Sequence, residues 1–103
     1  MQLVSSIQQG NCVLSVTGAL TFADHKEWRR LCQLALEDEA KMCVLDIQQL
    51  ENIDSAGLGM ILALRTWVER EGMELRLRYD PDNFVGSMMK LVKFDAMLMV
   101  DGA

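Results

Sequence analysis

Met42-Cys43-Val44-Leu45-Asp46-Ile47 is a short, nearly continuous apolar run, and it constrains the fold more than any other segment of the chain. A run of this length suits a central strand that is covered on both faces, with helical crossovers expected around it. The flanking sequence reads as strand, strand, helix, strand, helix, strand, helix, strand. Leu3 to Gln8 and Cys12 to Thr17 flank Gln9-Gly10-Asn11, a turn-rich break that predicts an antiparallel hairpin with Cys12, Leu14 and Val16 on one face. Gly18 is expected to end the second strand. Thr21 followed by Asp24 gives a variant capping signal, and Trp28, Leu31, Cys32 and Ala35 then fall at i, i+3, i+4 and i+7 of an amphipathic helix expected to end near Glu39.

Beyond the central run, Gln48 to Asn52 is polar, and a second helix is expected to open at Asp54-Ser55 and run to Glu71, with Gly72 as its stop. Met73 to Tyr79 alternates, presenting one face to the core and a Glu74/Arg76/Arg78 face to solvent or a partner. Asp80-Pro81 reads as the start of a third helix with Phe84, Met88, Leu91 and Val92 as its buried stripe, and Met97 to Val100 as a terminal edge strand. The expected fold class is α/β: a mixed β-sheet of about five strands with helices packed on it, as one domain over residues 1–103. At 103 residues and 50% hydrophobic content, such a chain buries roughly 65% of its unfolded surface and needs neither disulfides nor a structural metal.

Fifteen acidic against ten basic residues give a net charge of −5, which disfavours nonspecific nucleic-acid binding. The first residues lack a basic n-region, and the longest apolar run, Met60 to Leu64, is far short of the roughly 20 residues that cross a bilayer, so no membrane insertion is expected. Cys12, Cys32 and Cys43 are odd in number with no Cys-x-x-Cys spacing, and His25 is the one histidine. They read as buried thiols in a reducing, cytoplasmic setting, with no metal site and no cofactor. His25 lies among Asp24, Lys26 and Glu27 on a solvated face, a poor place for a catalytic base.

The informative junction is Asn52-Ile53-Asp54-Ser55-Ala56-Gly57-Leu58-Gly59. A strand, a short loop and an Asp-Ser pair at a helix opening place a hydroxyl beside unpaired N–H groups and the positive end of the helix dipole, where a phosphate is tolerated. The same residues also suit a plain N-cap, with Gly57 and Gly59 allowing close packing. Asp54 suits a capping or orienting role better than that of a base for Ser55. Leu58, Ile61, Leu62, Arg65 and Val68 form one stripe of this helix and Met60, Leu64 and Trp67 a second. Either the sheet and a neighbouring helix cover both, or part of the second stripe is free to bind.

Ile53-Asp54-Ser55-Ala56-Gly57-Leu58-Gly59, preceded by Val44-Leu45-Asp46-Ile47 and Leu50, resembles the signature of STAS domains, especially bacterial anti-sigma factor antagonists. The resemblance spans nearly the whole chain, though only the Asp-Ser-Ala-Gly-Leu-Gly element is specific. It implies that Ser55 is the serine phosphorylated by a cognate serine-kinase anti-sigma factor. It also implies that Asp54, Ser55, Ala56, Gly57, Leu58, Met60, Ile61 and Leu64 form the partner-binding surface, and that a phosphatase of the partner-switching type resets the switch. The chain itself would be no enzyme. Two departures stand out: Gly18-Ala19-Leu20-Thr21 lacks the two acids common in the family after the second strand, and Ala56 replaces a common Ser or Thr, leaving Ser55 as the sole hydroxyl of the junction. The loss of the acids keeps open a STAS subunit that regulates or stabilises a membrane transporter ATPase without phosphorylation. A sensor of a small anionic ligand is disfavoured by the lack of a Gly-rich phosphate cradle.

Overall fold

The computed structural model describes residues 1–37, 40–97 and 99–100. In chain order it runs β1 (Gln2–Gln8), β2 (Asn11–Leu20), a 3-10 turn (Phe22–Asp24), α1 (His25–Ala35), β3 (Cys43–Asp46), β4 (Leu50–Ile53), α2 (Ser55–Arg70), β5 (Leu75–Arg78), α3 (Phe84–Leu91), α4 (Phe94–Met97) and β6 (Met99–Val100). β1 and β2 form the expected hairpin. Its two-residue loop has positive φ at both Gln9 (54°) and Gly10 (80°), as a type I′ turn requires. The strands then follow the order β1-β2-β3-β5-β6, with every pairing after the hairpin parallel, so the sheet is mixed as expected.

Strand alternation sends Cys12, Leu14, Val16, Cys43, Leu45, Leu75 and Leu77 to one side, where they join Trp28, Cys32, Ile61, Leu64, Val85, Met89 and Phe94 in one hydrophobic cluster. The buried apolar side chains of all four helices belong to this cluster, so the helices lie on one face of the sheet. That corrects the expectation of helical cover on both faces. Val13 and Val44, paired rung to rung, point to the other side and are still only 3% and 2% exposed. Their neighbours in the ladder, Ser6 and Arg76, flank them, and the Asp46–Arg78 ion pair (3.6 Å) occupies the next rung. The nearly continuous apolar run therefore arises from one helix-covered face and one face flanked by polar side chains, Arg76 and the Asp46–Arg78 pair among them.

β2 does not stop at Gly18. That residue takes φ +82°, the register shifts there, and the strand continues to Leu20 alongside β4. β4 itself replaces the expected polar loop: Leu50 and Ile53 are buried while Glu51 and Asn52 are exposed. Four residues are too few to display an alternation in sequence, and the partner exists only because a glycine bulge prolongs β2. Thr21 and Asp24 make their capping contact, with the Thr21 N–H donating to Asp24 Oδ2 at 2.9 Å. α1 buries Trp28, Cys32 and Ala35 but ends at Ala35, and the expected end near Glu39 lies outside the described residues.

The third helix is shifted. Asp80 and Pro81 form a turn, Asn83 is the cap, and Val85, Gly86 and Met89 are the buried residues, whereas Phe84 and Leu91 are 54% and 74% exposed and Met88 and Val92 half-buried. Starting the helix three residues later hands the core side to the neighbouring stripe. Of Met97 to Val100, Met97 ends α4 and Met99–Val100 form β6.

Cys12, Cys32 and Cys43 are buried thiols, as expected. Burial pushes the Cys32 thiol up to about 12, and a hydrogen bond with Cys12, reinforced by burial, raises that of Cys43. A raised thiol pKa means less thiolate at a given pH, and thiolate is the reactive form. At pH 8 the native protein should take up no iodoacetamide in the time the urea-unfolded chain takes up three equivalents, one for each cysteine. Native labelling followed by mass spectrometry at comparable rates would show that this core does not hold its thiols as described.

Candidate functional site at the start of α2

β4 delivers the chain to Asp54, whose extended backbone (φ −103°, ψ −179°) makes it the N-cap of α2. Its carboxylate is fully engaged: Oδ1 accepts from the Gly57 N–H at 2.7 Å and Oδ2 from the Phe22 N–H at 3.2 Å. Its own N–H donates to the Leu20 carbonyl at 3.3 Å, and its carbonyl accepts the first helical bond from the Leu58 N–H at 3.1 Å. Asp54 thus fastens α2 to the end of β2 and to the loop that follows it, the capping and orienting role expected from the sequence.

Gly57 is held by sterics. A Cβ there would stand 2.3 Å from the Leu20 carbonyl oxygen and 2.7 Å from Ile53 Cγ1, so only glycine lets the first turn of α2 settle on β2 and β4. Gly59 is different: a Cβ there meets nothing within 4 Å. The packing role expected of both glycines belongs to Gly57 alone. The same construction recurs unforeseen at α3, where Asn83 Oδ1 accepts from the Gly86 N–H at 2.8 Å and a Cβ on Gly86 would fall 1.7 Å from the Asp80 carbonyl oxygen.

Ser55 is the first residue of α2 and exposed, and its hydroxyl makes no hydrogen bond among the described residues. Helical periodicity places Leu58, Gly59 and Leu62 on its side of the helix. Asp54 and Gly59 are exposed, and Ala56, Leu58 and Leu62 half-buried. The remaining residues expected at the surface lie beneath it. Gly57 is buried, Met60 is 9% exposed, and Ile61 and Leu64 are both at 0%. Their side chains cannot reach a partner of the folded chain, because α2 is wedged between the sheet and α1. Trp28, 1% exposed, donates its indole N–H to the Met60 carbonyl at 3.0 Å across that second contact. Met60, Ile61, Leu64 and Val68 are therefore covered, while Leu58, Leu62 and Trp67 stay half-buried at the margins of the two stripes.

The sequence reading missed Phe22. It is 66% exposed, its backbone N–H is held by Asp54, and its ring stacks on His25 with centroids 4.7 Å apart. His25 Nδ1–H donates to the Phe22 carbonyl at 2.8 Å, which fixes the ring pair at the mouth of the junction. The available signal was an aromatic residue between Thr21 and Asp24, outside any helical stripe that could have buried it.

Residues 4–101 match the family described as "Mlab, STAS domain". The chain belongs to the STAS domain family. Its fold is shared with an anti-sigma factor antagonist from Mycobacterium paratuberculosis (TM-score 0.82, 16% identity, covering 99% of this chain and 86% of that one). It is shared as well with the Bacillus cell fate determinant SpoIIAA in its phosphorylated form (0.68, 14%, 98% and 92%) and with a sulfate transporter family protein from Wolinella succinogenes (0.68, 17%, 89% and 75%). No curated protein matches the sequence significantly. Among the described residues of this STAS domain no helix is long and apolar enough to cross a membrane.

The two glycines of the STAS junction separate structure from surface. Gly57→Ala should cost about 2–3 kcal/mol by overpacking against a backbone carbonyl, while Gly59→Ala should stabilise by about 0.5–1 kcal/mol through helix propensity. Urea unfolding of the two variants reads both signs. A neutral Gly57→Ala would mean that the first turn of α2 is not pressed against Leu20 as described.

Proposed function

We propose that this STAS domain is a protein-binding switch of the anti-sigma factor antagonist type. It docks on a serine-kinase anti-sigma factor through the start of α2 and is released when that partner phosphorylates Ser55. The observation that carries the reading is the Ser55 hydroxyl, exposed and without a hydrogen-bond partner among the described residues, on a helix start that Asp54 and Gly57 hold in place. The open space over Gly59 gives a kinase backbone room to approach, and the exposed Phe22, tied to Asp54, offers an apolar anchor at the junction.

The charge arithmetic supports a switch that leaves the fold alone. A phosphate adds about −1.5 to −2 charge. Asp54 already takes the Gly57 N–H, so the N–H groups of Ser55 and Ala56 and the helix dipole remain to accommodate the new anion. In a docked interface the same dianion meets desolvation and the nearby Asp54 carboxylate, and each 1.4 kcal/mol lost there is about tenfold in affinity. Catalysis belongs to the kinase, and a partner-switching phosphatase returns the domain to its binding form. The fold shared with a phosphorylated SpoIIAA is consistent with that cycle.

A second reading rests on its own observation. Ala19 and Thr21 stand where the family commonly carries acids, beside Leu20 and Phe22 at the rim of the junction, and the fold is also that of the Wolinella sulfate transporter family protein. In this reading the same helix start docks permanently on a transporter ATPase, and Ser55 stays unmodified.

With a cognate serine kinase and ATP, intact-mass analysis should show one added phosphate, abolished in Ser55→Ala. A phosphate elsewhere, or none from a kinase active on other substrates, sinks the switch. Ser55→Asp should weaken binding to that kinase at least tenfold in calorimetry while keeping the unfolding midpoint. Equal affinity of the two forms, together with capture of a transporter ATPase, would establish the second reading. Gly59→Gln should weaken docking under either reading, since both use the same surface.

A further inference from the structure

β1 is an edge strand of a kind that proteins rarely leave open. Among the described residues it pairs only with β2, and its outer side carries no strand. Edges are commonly protected by lysine, proline, a bulge or brevity. Gln2-Leu3-Val4-Ser5-Ser6-Ile7-Gln8 has none of these: it is seven residues long, contains no charged residue and no proline, and pairs with β2 in unbroken register from Gln2↔Thr17 to Gln8↔Asn11. Five of its seven residues from Val4 onward are exposed without interruption, including Val4 at 59% and Ile7 at 49%.

The hairpin fixes which backbone groups are available. A two-residue type I′ loop closes on a hydrogen-bonded pair, here Gln8 and Asn11, and antiparallel alternation then turns the N–H and C=O groups of Gln8, Ser6, Val4 and Gln2 toward β2. Those of Leu3, Ser5 and Ile7 point outward.

The strand is also close to a palindrome about Ser5. Laid antiparallel against a second copy with the two-fold axis at Ser5, Gln2 meets Gln8, Leu3 meets Ile7, Val4 meets Ser6, and Ser5 meets itself. This register brings together the three outward residues of each copy, Leu3 with Ile7, Ser5 with Ser5 and Ile7 with Leu3, so that every pair exchanges both of its N–H···O=C bonds. A centre at Val4 or Ser6 also brings outward residues together, Leu3 with Ser5 or Ser5 with Ile7, but it overlaps less of the strand and sets an apolar side chain against a serine, so the centre at Ser5 matches more of the strand. Side-chain faces agree as well. Leu3, which packs on the helix-covered core, would lie beside the exposed Ile7 of the second copy, on the same side of a continuous sheet.

We infer that β1 is a homodimer interface: two copies of this chain pair their first strands antiparallel about Ser5 and extend the two sheets into one. The contact is isologous and closes at two copies, because each β1 has one free edge. A single strand pair lies at the small end of specific interfaces, so the dimer is concentration-dependent. It uses no residue of the α2 junction and stands independently of the proposed switch.

Sedimentation velocity of the full chain up to millimolar concentration should show monomer converting to dimer and nothing larger. Ser5→Lys places two ammonium groups opposite each other on the axis and should lower the association constant at least tenfold, with an unchanged circular dichroism spectrum. Ser5→Cys tests the register without depending on that variant. Hydrogen-bonded antiparallel partners have Cα atoms about 5.5 Å apart, within disulfide range, and the native thiols are buried. Under oxidised glutathione Ser5→Cys should form a covalent dimer several times faster than Ser6→Cys, whose partner in this register is Val4. A chain monomeric at millimolar concentration, a dimer indifferent to Ser5→Lys, or crosslinking as fast at Ser6→Cys would each overturn the inference. So would a β1 edge that accepts an extended peptide of another sequence while never accepting its own.

Discussion

Leu20 carries the last rung of β2, and its carbonyl oxygen is where three elements meet. It accepts the Asp54 N–H at 3.3 Å, so β2, β4 and the start of α2 are joined at one atom. The same oxygen lies 2.3 Å from where a Cβ on residue 57 would sit, which makes glycine there a condition of the fold. Everything distinctive about the junction descends from this contact. The glycine bulge at Gly18 lets β2 reach Leu20, β4 forms because β2 reaches that far, and β4 ends where Asp54 can cap α2. The device is used a second time at Asn83 and Gly86, where it seats the start of α3 hard against the Asp80-Pro81 turn.

With that seat fixed, burial divides α2 into a structural and an available side. Ile61, Leu64 and Val68 are fully enclosed between the sheet and α1, and the Trp28 indole locks the second contact. Outward near its start are Ser55 and Gly59 with the half-buried Leu58 and Leu62, and the exposed Phe22 is tied through its backbone to the capping Asp54. Under the proposed switch, a helix held this firmly would change little on docking, and a charge placed at Ser55 would act on the interface while the scaffold stays as it is.

Much of the architecture was legible in the sequence because it depends on local signals. Gln9-Gly10 announces the hairpin, Trp28, Cys32 and Ala35 announce α1, and Asp54-Ser55 through Gly72 bound α2 closely. What escaped was non-local or too short to have a period. β4 is four residues whose pairing is decided by a bulge more than thirty residues earlier in the chain. The α3 stripe was misread by taking Asp80-Pro81 as a helix opening, when the close approach of Asp80 to Gly86 makes those residues a turn. At the candidate site, Asp54 and Ser55 were found at their places, whereas Met60, Ile61 and Leu64 were expected outside and are inside. A sequence shows that a helix has two apolar stripes; how many neighbours cover them is a property of the packed chain.

By itself, then, the amino-acid sequence determined a mixed α/β sheet with a hairpin at its start, a set of thiols for the core, and a hydroxyl at a capped helix opening that resembles the STAS signature. These follow from residue type and spacing over a few positions, where backbone preference and hydrophobic period act directly. Tertiary structure alone decided that the helices cover one face, that Gly57 is compulsory while Gly59 is open, that the exposed Phe22 is tied to Asp54, and that β1 keeps an uncharged free edge. The physical reason is common to all four: each is set by what lies across space from a residue, and steric exclusion, burial and strand pairing have no counterpart in the order of neighbours along the chain.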